Sequence, residues 1–330
     1  IAIAYSATIL MDHCIFSGNT ATTGAGLYRY CDNITPLTLT DCIVTGNTGD
    51  GMYHVGAAHV TRCEFSDNSG SGLETEGYGN SLIVADSTFL DNGLSGMVIG
   101  RAFSHPLNIL NSTFSGNGYA GIRNLSQNQG SYMPVDVTNC MFVNNNASGF
   151  NSTSGSGIHL NLKNCLFWKN TGALGAAMFS IGGNSATVTN CIMGGGGDQM
   201  HWADSDVSYS NIEVTSGTYP GTGNINEDPL FLDPDGLDDV LGTADDNFQL
   251  VAGSPCIDAG TSDGAPETDM VGNDRFDDPT TNDTGAGLYT YNDMGPLEYF
   301  LEPCVCDFDT DSDVDGLDLA TYSEGDTGIS

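Results

Sequence analysis

The chain has 330 residues and carries 42 acidic side chains against seven Lys and Arg, a net charge of −35. The cations (Arg29, Arg62, Arg101, Arg123, Lys163, Lys169 and Arg275) are scattered, so nucleic acid and an anionic membrane surface would be repelled rather than steered. The 44 Gly, with abundant Ser, Thr and Asn, exclude a helix bundle and point to turn-rich β structure. A hydrophobic content of 39% suffices for a continuous core.

In chain order, the first ten residues already read as strand, and they are too short to cross a bilayer. With no leader or initiating Met in view, the expectation is a processed or incomplete product. One phrase then recurs: a small residue, a large apolar residue two positions later, and Asn three beyond that. It appears as Cys14/Phe16/Asn19, Cys42/Val44/Asn47, Cys63/Phe65/Asn68 and Ser87/Phe89/Asn92. Ser112/Phe114/Asn117, Cys140/Phe142/Asn145 and Cys165/Phe167/Asn170 follow. An eighth copy, Cys191/Met193, keeps the apolar pair and loses the Asn.

Gly and an apolar residue follow the Asn at Gly51, Gly72, Gly96, Gly121 and Gly149, and alternating apolar runs such as Leu82-Ile-Val84 precede the phrase. Each unit therefore holds about three short strands, and a spacing of 21 to 28 residues is one coil of a solenoid with parallel strands about 4.8 Å apart. The two-residue side-chain period points the small and large members inward. Stacked Asn can bond the backbone and the next Asn. The recurrent Gly meets a need for positive φ or for close backbone approach.

Six of the ten cysteines occupy the small inward position, where Ser87 and Ser112 substitute, so size outranks thiol chemistry and buried free thiols are expected. Adjacent coils keep disulfides among Cys14, Cys42 and Cys63 open as an alternative. Cys31, Cys256, Cys304 and Cys306 lie outside the column, and a bond from Cys256 to Cys304 or Cys306 would pin the tail to the cap.

The acidic charge is uneven, with 11 carboxylates in residues 1–197 and 31 in 198–330. Such density needs counter-cations, and millimolar calcium is an extracellular condition. In Asp307-Phe-Asp309-Thr-Asp311-Ser-Asp313-Val-Asp315-Gly-Leu-Asp318, oxygen ligands fall at loop positions 1, 3, 5, 9 and 12 with a backbone carbonyl at 7, which suits Ca²⁺. A second acidic loop places Asp233, Asp235, Asp238, Asp239, Asp245 and Asp246 within 14 residues, a further calcium candidate without an EF-hand spacing.

The repeats resemble the right-handed parallel β-helix repeat proteins of secreted and surface-attached bacterial type. The segments Asp228-Pro-Leu-Phe231, Gly253-Ser-Pro-Cys-Ile-Asp-Ala-Gly260, Asp269-Met-Val-Gly-Asn-Asp-Arg275 and Asp293-Met-Gly-Pro-Leu-Glu298 are similar to that family's C-terminal signature. The resemblance implies a cap on the solenoid. The 307–318 loop resembles the calcium loop of dockerin-type repeats, in which Asp307, Asp309, Asp311, Asp315 and Asp318 would be side-chain ligands and Asp313 would offer its backbone. It departs from them at Ser312 and in standing as a single copy.

The expected fold is all-β: a right-handed parallel β-helix of about 9–10 coils in all, with coils over 1–222, C-terminal coils and cap with the acidic loop over 223–300, and a dockerin-like calcium-binding tail over 301–330. Catalysis has little sequence support. The histidines form no metal motif, and grouped carboxylates with the Lys or Arg needed for a polyuronate are not evident. Glu74, Glu76 or Asp91 in outer loops stand as candidates for a neutral-glycan hydrolase. The leading expectation is a non-catalytic extracellular matrix or fibre subunit that joins head to tail. The alternative is a carbohydrate-active or glycan-binding β-helix attached through its calcium tail, for which grooves lined by Tyr or Trp would speak. Neither nucleic-acid binding nor membrane insertion is expected.

Overall fold

The computed structural model describes residues 2–4, 8–30, 36–76, 81–100, 106–126, 133–153 and 156–300. The repeat winds into a parallel β-helix with three sheets of nine strands each. The first sheet runs from Ala2–Ala4 to Met200–His201, the second from Ile9–Asp12 to Asp204–Ser208, and the third from Ile15–Ser17 to Asn211–Ile212. Phe89 sits in register with Phe65 on one side and Phe114 on the other. The rings of Phe65, Phe89, Phe114, Phe142 and Phe167 stack with centroids 4.5–5.0 Å apart and planes within 6°.

Beside this stack the asparagines form a ladder. Each amide nitrogen donates to the next coil's Asn oxygen, from Asn19→Asn47 at 3.0 Å to Asn145→Asn170 at 2.8 Å. From the second rung on, the same nitrogen also donates to a carbonyl one coil back, as Asn117 does to Phe89. The small column is built on one bond. Cys42, Cys63, Cys140, Cys165 and Cys191 donate Sγ–H to the carbonyl two residues earlier at 3.2–3.3 Å. Ser87 and Ser112 do the same with Oγ at 2.7 Å, so the two residue types are interchangeable there. Seven cysteines, Cys14, Cys42, Cys63, Cys140, Cys165, Cys191 and Cys256, are free thiols. Cys31, Cys304 and Cys306 lie outside the described residues.

The recurrent Gly serves close approach. A Cβ on Gly72 would lie 2.7 Å from the Gly96 carbonyl and 3.0 Å from the Phe65 Cβ. Positive φ falls at two other places in the coil. One is the bend before the small column (Asp41, Arg62, Asp86, Asn111 and their equivalents), and the other is the residue before the ladder Asn (Asp67, Asp91, Gly116, Asn144).

Not all of the interior is apolar. Arg29, His54 and Thr75 follow one another in register on the first sheet and are fully buried. Arg29 Nη1 and His54 Nε2 both approach the Ala57 carbonyl, at 3.3 and 3.0 Å. Burial, reinforced by the Arg29 charge, pushes the His54 pKa down from 6.5 to about 4. The unfolded chain therefore takes up this proton first, so the stability held by the neutral ring is complete above pH 6.5 and is lost as pH falls towards 4. Between pH 7 and pH 4.5 this group should cost about 2.5 kcal/mol. Urea midpoints of wild type and His54→Gln at the two pH values check it, and equal pH slopes for the two proteins would contradict it.

After Asn211–Ile212 no further coil forms among the described residues. Residues 214–226 close the end, with Val214 and Tyr219 packed on the last layer of core and Ile225 donating to Ser210. This closing segment straddles the boundary expected at 222/223. Residues 227–300 then fold back along the outer face of the third sheet. Phe248, Leu250, Cys256, Ile257, Met294 and Tyr299 build a second core there against Val143, Leu166 and Ile192. Asn139, Asn164 and Asn190 tie the segment down through the carbonyls of Thr268, Asp293 and Thr261. The cap thus covers a flank of the solenoid as well as its end.

Candidate functional site

The Asn ladder stops at Asn170. The next equivalent position is Gly196, inside the run Gly194–Gly197, and a groove opens at this break. A cavity of about 620 Å³ is lined by Trp168, Lys169, Gly194–Gly196, Glu213 and the segment Asn226–Pro229. A second of about 490 Å³ adjoins it, sharing Lys169, Gly195 and Gly196 and running on to Asn144 and Asn170–Ala173. Together they make an elongated groove across two coils.

Each wall has an evident cause. Lys169 takes the left-handed bend that Asp, Gly or Asn takes in earlier coils, which places its side chain at the junction of the two cavities. A Cβ on Gly195 would lie 2.5 Å from the Lys169 backbone nitrogen, so the floor has to be glycine there. Glu213 accepts a 2.8 Å bond from the Gly196 amide. Asn211 exchanges two bonds with the Glu227 backbone at 2.9 and 3.1 Å, and Asp228 accepts from the Leu230 amide. Trp168 meets Phe231 edge-on at 5.0 Å, and its buried indole N–H has no hydrogen-bond partner. An apolar indole face, three carboxylates and one ammonium along an open trough can stack a sugar ring and bond its hydroxyls.

Trp202, the other tryptophan, is core, edge-on to Phe150 at 6.1 Å. Glu74 and Glu76 point outward from the first sheet. Burial raises the Glu74 pKa first, then the charges of Asp50 and Glu76, with Arg123 opposing. Asp91 stands apart on the third-sheet bend, its pKa raised by burial and by Asp67. The structure therefore gathers Glu74 with Glu76 and Asp50, and leaves Asp91 out.

In the acidic loop, Asp245 accepts from the Leu237 and Asp238 amides, Asp238 from Val240, and Asp246 from Gly242. These carboxylates brace their own backbone. No three of the six (Asp233, Asp235, Asp238, Asp239, Asp245, Asp246) bring ligand atoms together. The tail ligands Asp307, Asp309, Asp311, Asp313, Asp315 and Asp318 lie outside the described residues. Asp12, His13 and Asp41 do converge, on the surface, where Arg62 holds Asp41 through two 2.8 Å bonds.

The signature residues of the cap form a buried network. Asp293 accepts from the Asp258 amide at 2.8 Å and the Tyr299 amide at 2.6 Å. Glu298 pairs with Arg275 at 2.6 Å and accepts from the Phe276 amide. Asp269 caps its own turn at Val271 and Asn273. Sequence reading missed Lys169, Glu213, Glu227 and Asp228 as a group. The signal that marks them is the Asn lost from the eighth copy.

Residues 25–193 match the family described as right handed beta helix region, and the chain belongs to that family. The structure is similar to a crystal structure of pectate lyase Pel9A, with a TM-score of 0.51 at 16% identity over 91% of this chain and 83% of that one. At that identity the likeness establishes the fold alone. No curated protein matches the chain.

Proposed function

We propose that this protein is an extracellular glycan-binding β-helix that seats a neutral polysaccharide in the groove at the end of the Asn ladder. The observation that carries the reading is the open trough shared by the two cavities, with Trp168 on its wall and Lys169 at its centre. The pectate lyase likeness supports a polysaccharide-handling role for such a scaffold without specifying the sugar. Three carboxylates against one ammonium disfavour a polyuronate unless cations bridge it. Glu213 and Glu227 are the groups that would serve hydrolysis, as general acid and base. Calcium at the 307–318 loop, serving attachment, belongs to the same proposal.

Affinity electrophoresis through gels containing neutral polysaccharides, or polygalacturonate with calcium or EGTA, tests it, with released reducing ends assayed in parallel. A neutral glycan should retard the protein, and Trp168→Ala should bind about 30-fold more weakly, as expected for truncating a central aromatic anchor worth about 2 kcal/mol. No retardation by any glycan, or unchanged binding by Trp168→Ala, would sink the proposal.

A second reading, a fibre subunit joined head to tail, draws on the first coil, whose inward Ile9, Met11 and Cys14 are only partly buried where Leu37, Leu39 and Cys42 of the next coil are fully so. Electron micrographs with and without EGTA would end it if both show single particles.

A further inference from the structure

Of the buried carboxylates of the cap, Asp258 alone has neither oxygen hydrogen-bonded, while Asp246 lacks a partner at one oxygen. Asp293 takes two backbone amides, Glu298 takes Arg275 and an amide, and Asp278 takes the hydroxyls of Thr280 and Thr281 at 2.7–3.0 Å. Asp258 is fully buried, and neither of its carboxylate oxygens has a hydrogen-bond partner. Its backbone is spoken for, since the carbonyl accepts from the Thr284 and Gly285 amides and the amide donates to Asp293. The side chain is therefore fixed in place, with the Asp278 amide nearby but no hydrogen bond of normal geometry to either oxygen.

The groups it meets are of its own sign. Carboxylate oxygens of Asp258, Asp277 and Asp283 all lie within 4.8 Å of one another, with Asp258 at the buried end and the other two exposed. Burial, then the charges of Asp277 and Asp283, push the Asp258 pKa up to about 7, with only the Asp278 backbone opposing. Two like charges converging on an unsatisfied buried carboxylate make no sense as a self-contained structural motif. A cation between them resolves both the repulsion and the missing partners.

We propose that Asp258, Asp277 and Asp283 form a binding site for one hard divalent cation, calcium, inside the cap. The donor set is oxygen alone, with no His or Cys in it, which selects a hard ion over zinc or copper. Asp277 and Asp283 at the surface provide the way in, and Thr290 holds Asp283 through its hydroxyl. The site joins the Ser254–Gly260 stretch to the 276–284 loop. It is separate from the groove, and it shares no residue with the 233–246 loop or the 307–318 tail.

Calcium titration of the full chain by calorimetry, beside Asp258→Asn and Asp277→Asn, tests the site. Comparing stoichiometries removes any contribution of the other acidic segments. Each variant should bind one calcium fewer than wild type, and saturating calcium should raise the cap's melting temperature in wild type by about 4 °C more than in either variant. In EGTA, Asp258→Asn should melt above wild type, because the substitution removes a buried uncompensated charge. Unchanged stoichiometry in Asp277→Asn, an exposed position that leaves folding intact, would overturn the proposal. So would an Asp258→Asn protein that melts below wild type in EGTA, which would make the carboxylate a structural acceptor.

Discussion

Asn117→Ala should cost about 4 kcal/mol of stability and split the ladder in two. Asn117 is fully buried. Its nitrogen donates to the Phe89 carbonyl at 3.0 Å and to Asn145 Oδ1 at 2.9 Å, while its oxygen accepts from the Asn92 amide and side chain at 3.2 and 3.1 Å. Alanine leaves these groups facing a dry interior, at about 1–3 kcal/mol for each one that finds no substitute. Asn19→Ala provides the contrast, because Asn19 is exposed at the first rung and water can replace its bonds. Urea unfolding of the two variants should separate them by at least about 3 kcal/mol. Similar midpoints would mean that the ladder is a by-product of coil stacking rather than a cause of it.

The ladder is also where sequence and structure agree most closely, for a physical reason. A solenoid repeats one environment, so each column imposes the same demand on every coil and the demand shows as a phrase. The Phe stack, the interchange of Cys and Ser, and the inward pairing were all legible because several copies report on each position. The Gly requirement was legible as a choice between two causes, and the short distances around Gly72 make it close approach. What stayed hidden occurs once. Glu213 ends the last coil, bonded to Met193, while Glu227 and Asp228 start the fold-back, which meets the repeat across the groove and shares no spacing with it. In the acidic loop Asp238, Asp245 and Asp246 each accept from local amides, a detail that Asp density alone does not reveal.

The flank covered by the cap left a trace that can be read in retrospect. Outward positions beside the third-sheet Phe column run Glu64 and Ser66, Thr88 and Leu90, then Thr113 and Ser115, and from the sixth coil both members are apolar: Met141 and Val143, then Leu166 and Trp168. An outer face that turns apolar partway along a solenoid needs a cover, and residues 227–300 supply it. The groove lies at the edge of that cover. Its position is thus set by two interruptions of the repeat: the missing Asn inside and the apolar turn outside.

Arg275→Met should loosen the cap by about 3–5 kcal/mol, the cost of removing one partner from a buried ion pair. Glu298 is fully buried, and burial raises its pKa against the opposing charge of Arg275. The guanidinium lies 2.6 Å from Glu298 and also donates to the carbonyls of Pro266 and Thr268 at 3.2 Å. Methionine would leave the carboxylate beside Asp293, which is buried and itself held well above the usual range by burial and then by Glu298. Arg275→Met/Glu298→Gln should regain more than half of the loss, since the penalty is chiefly the stranded charge. Hydrogen exchange should localise the damage, with amides of 256–260 and 292–299 opening while the Asn ladder stays protected. Because Asp228 and Pro229 belong to the same folded-back segment and wall the groove, Arg275→Met should also weaken glycan binding. A variant that unfolds with the wild-type midpoint and exchanges uniformly would show that the cap stands without its one buried pair.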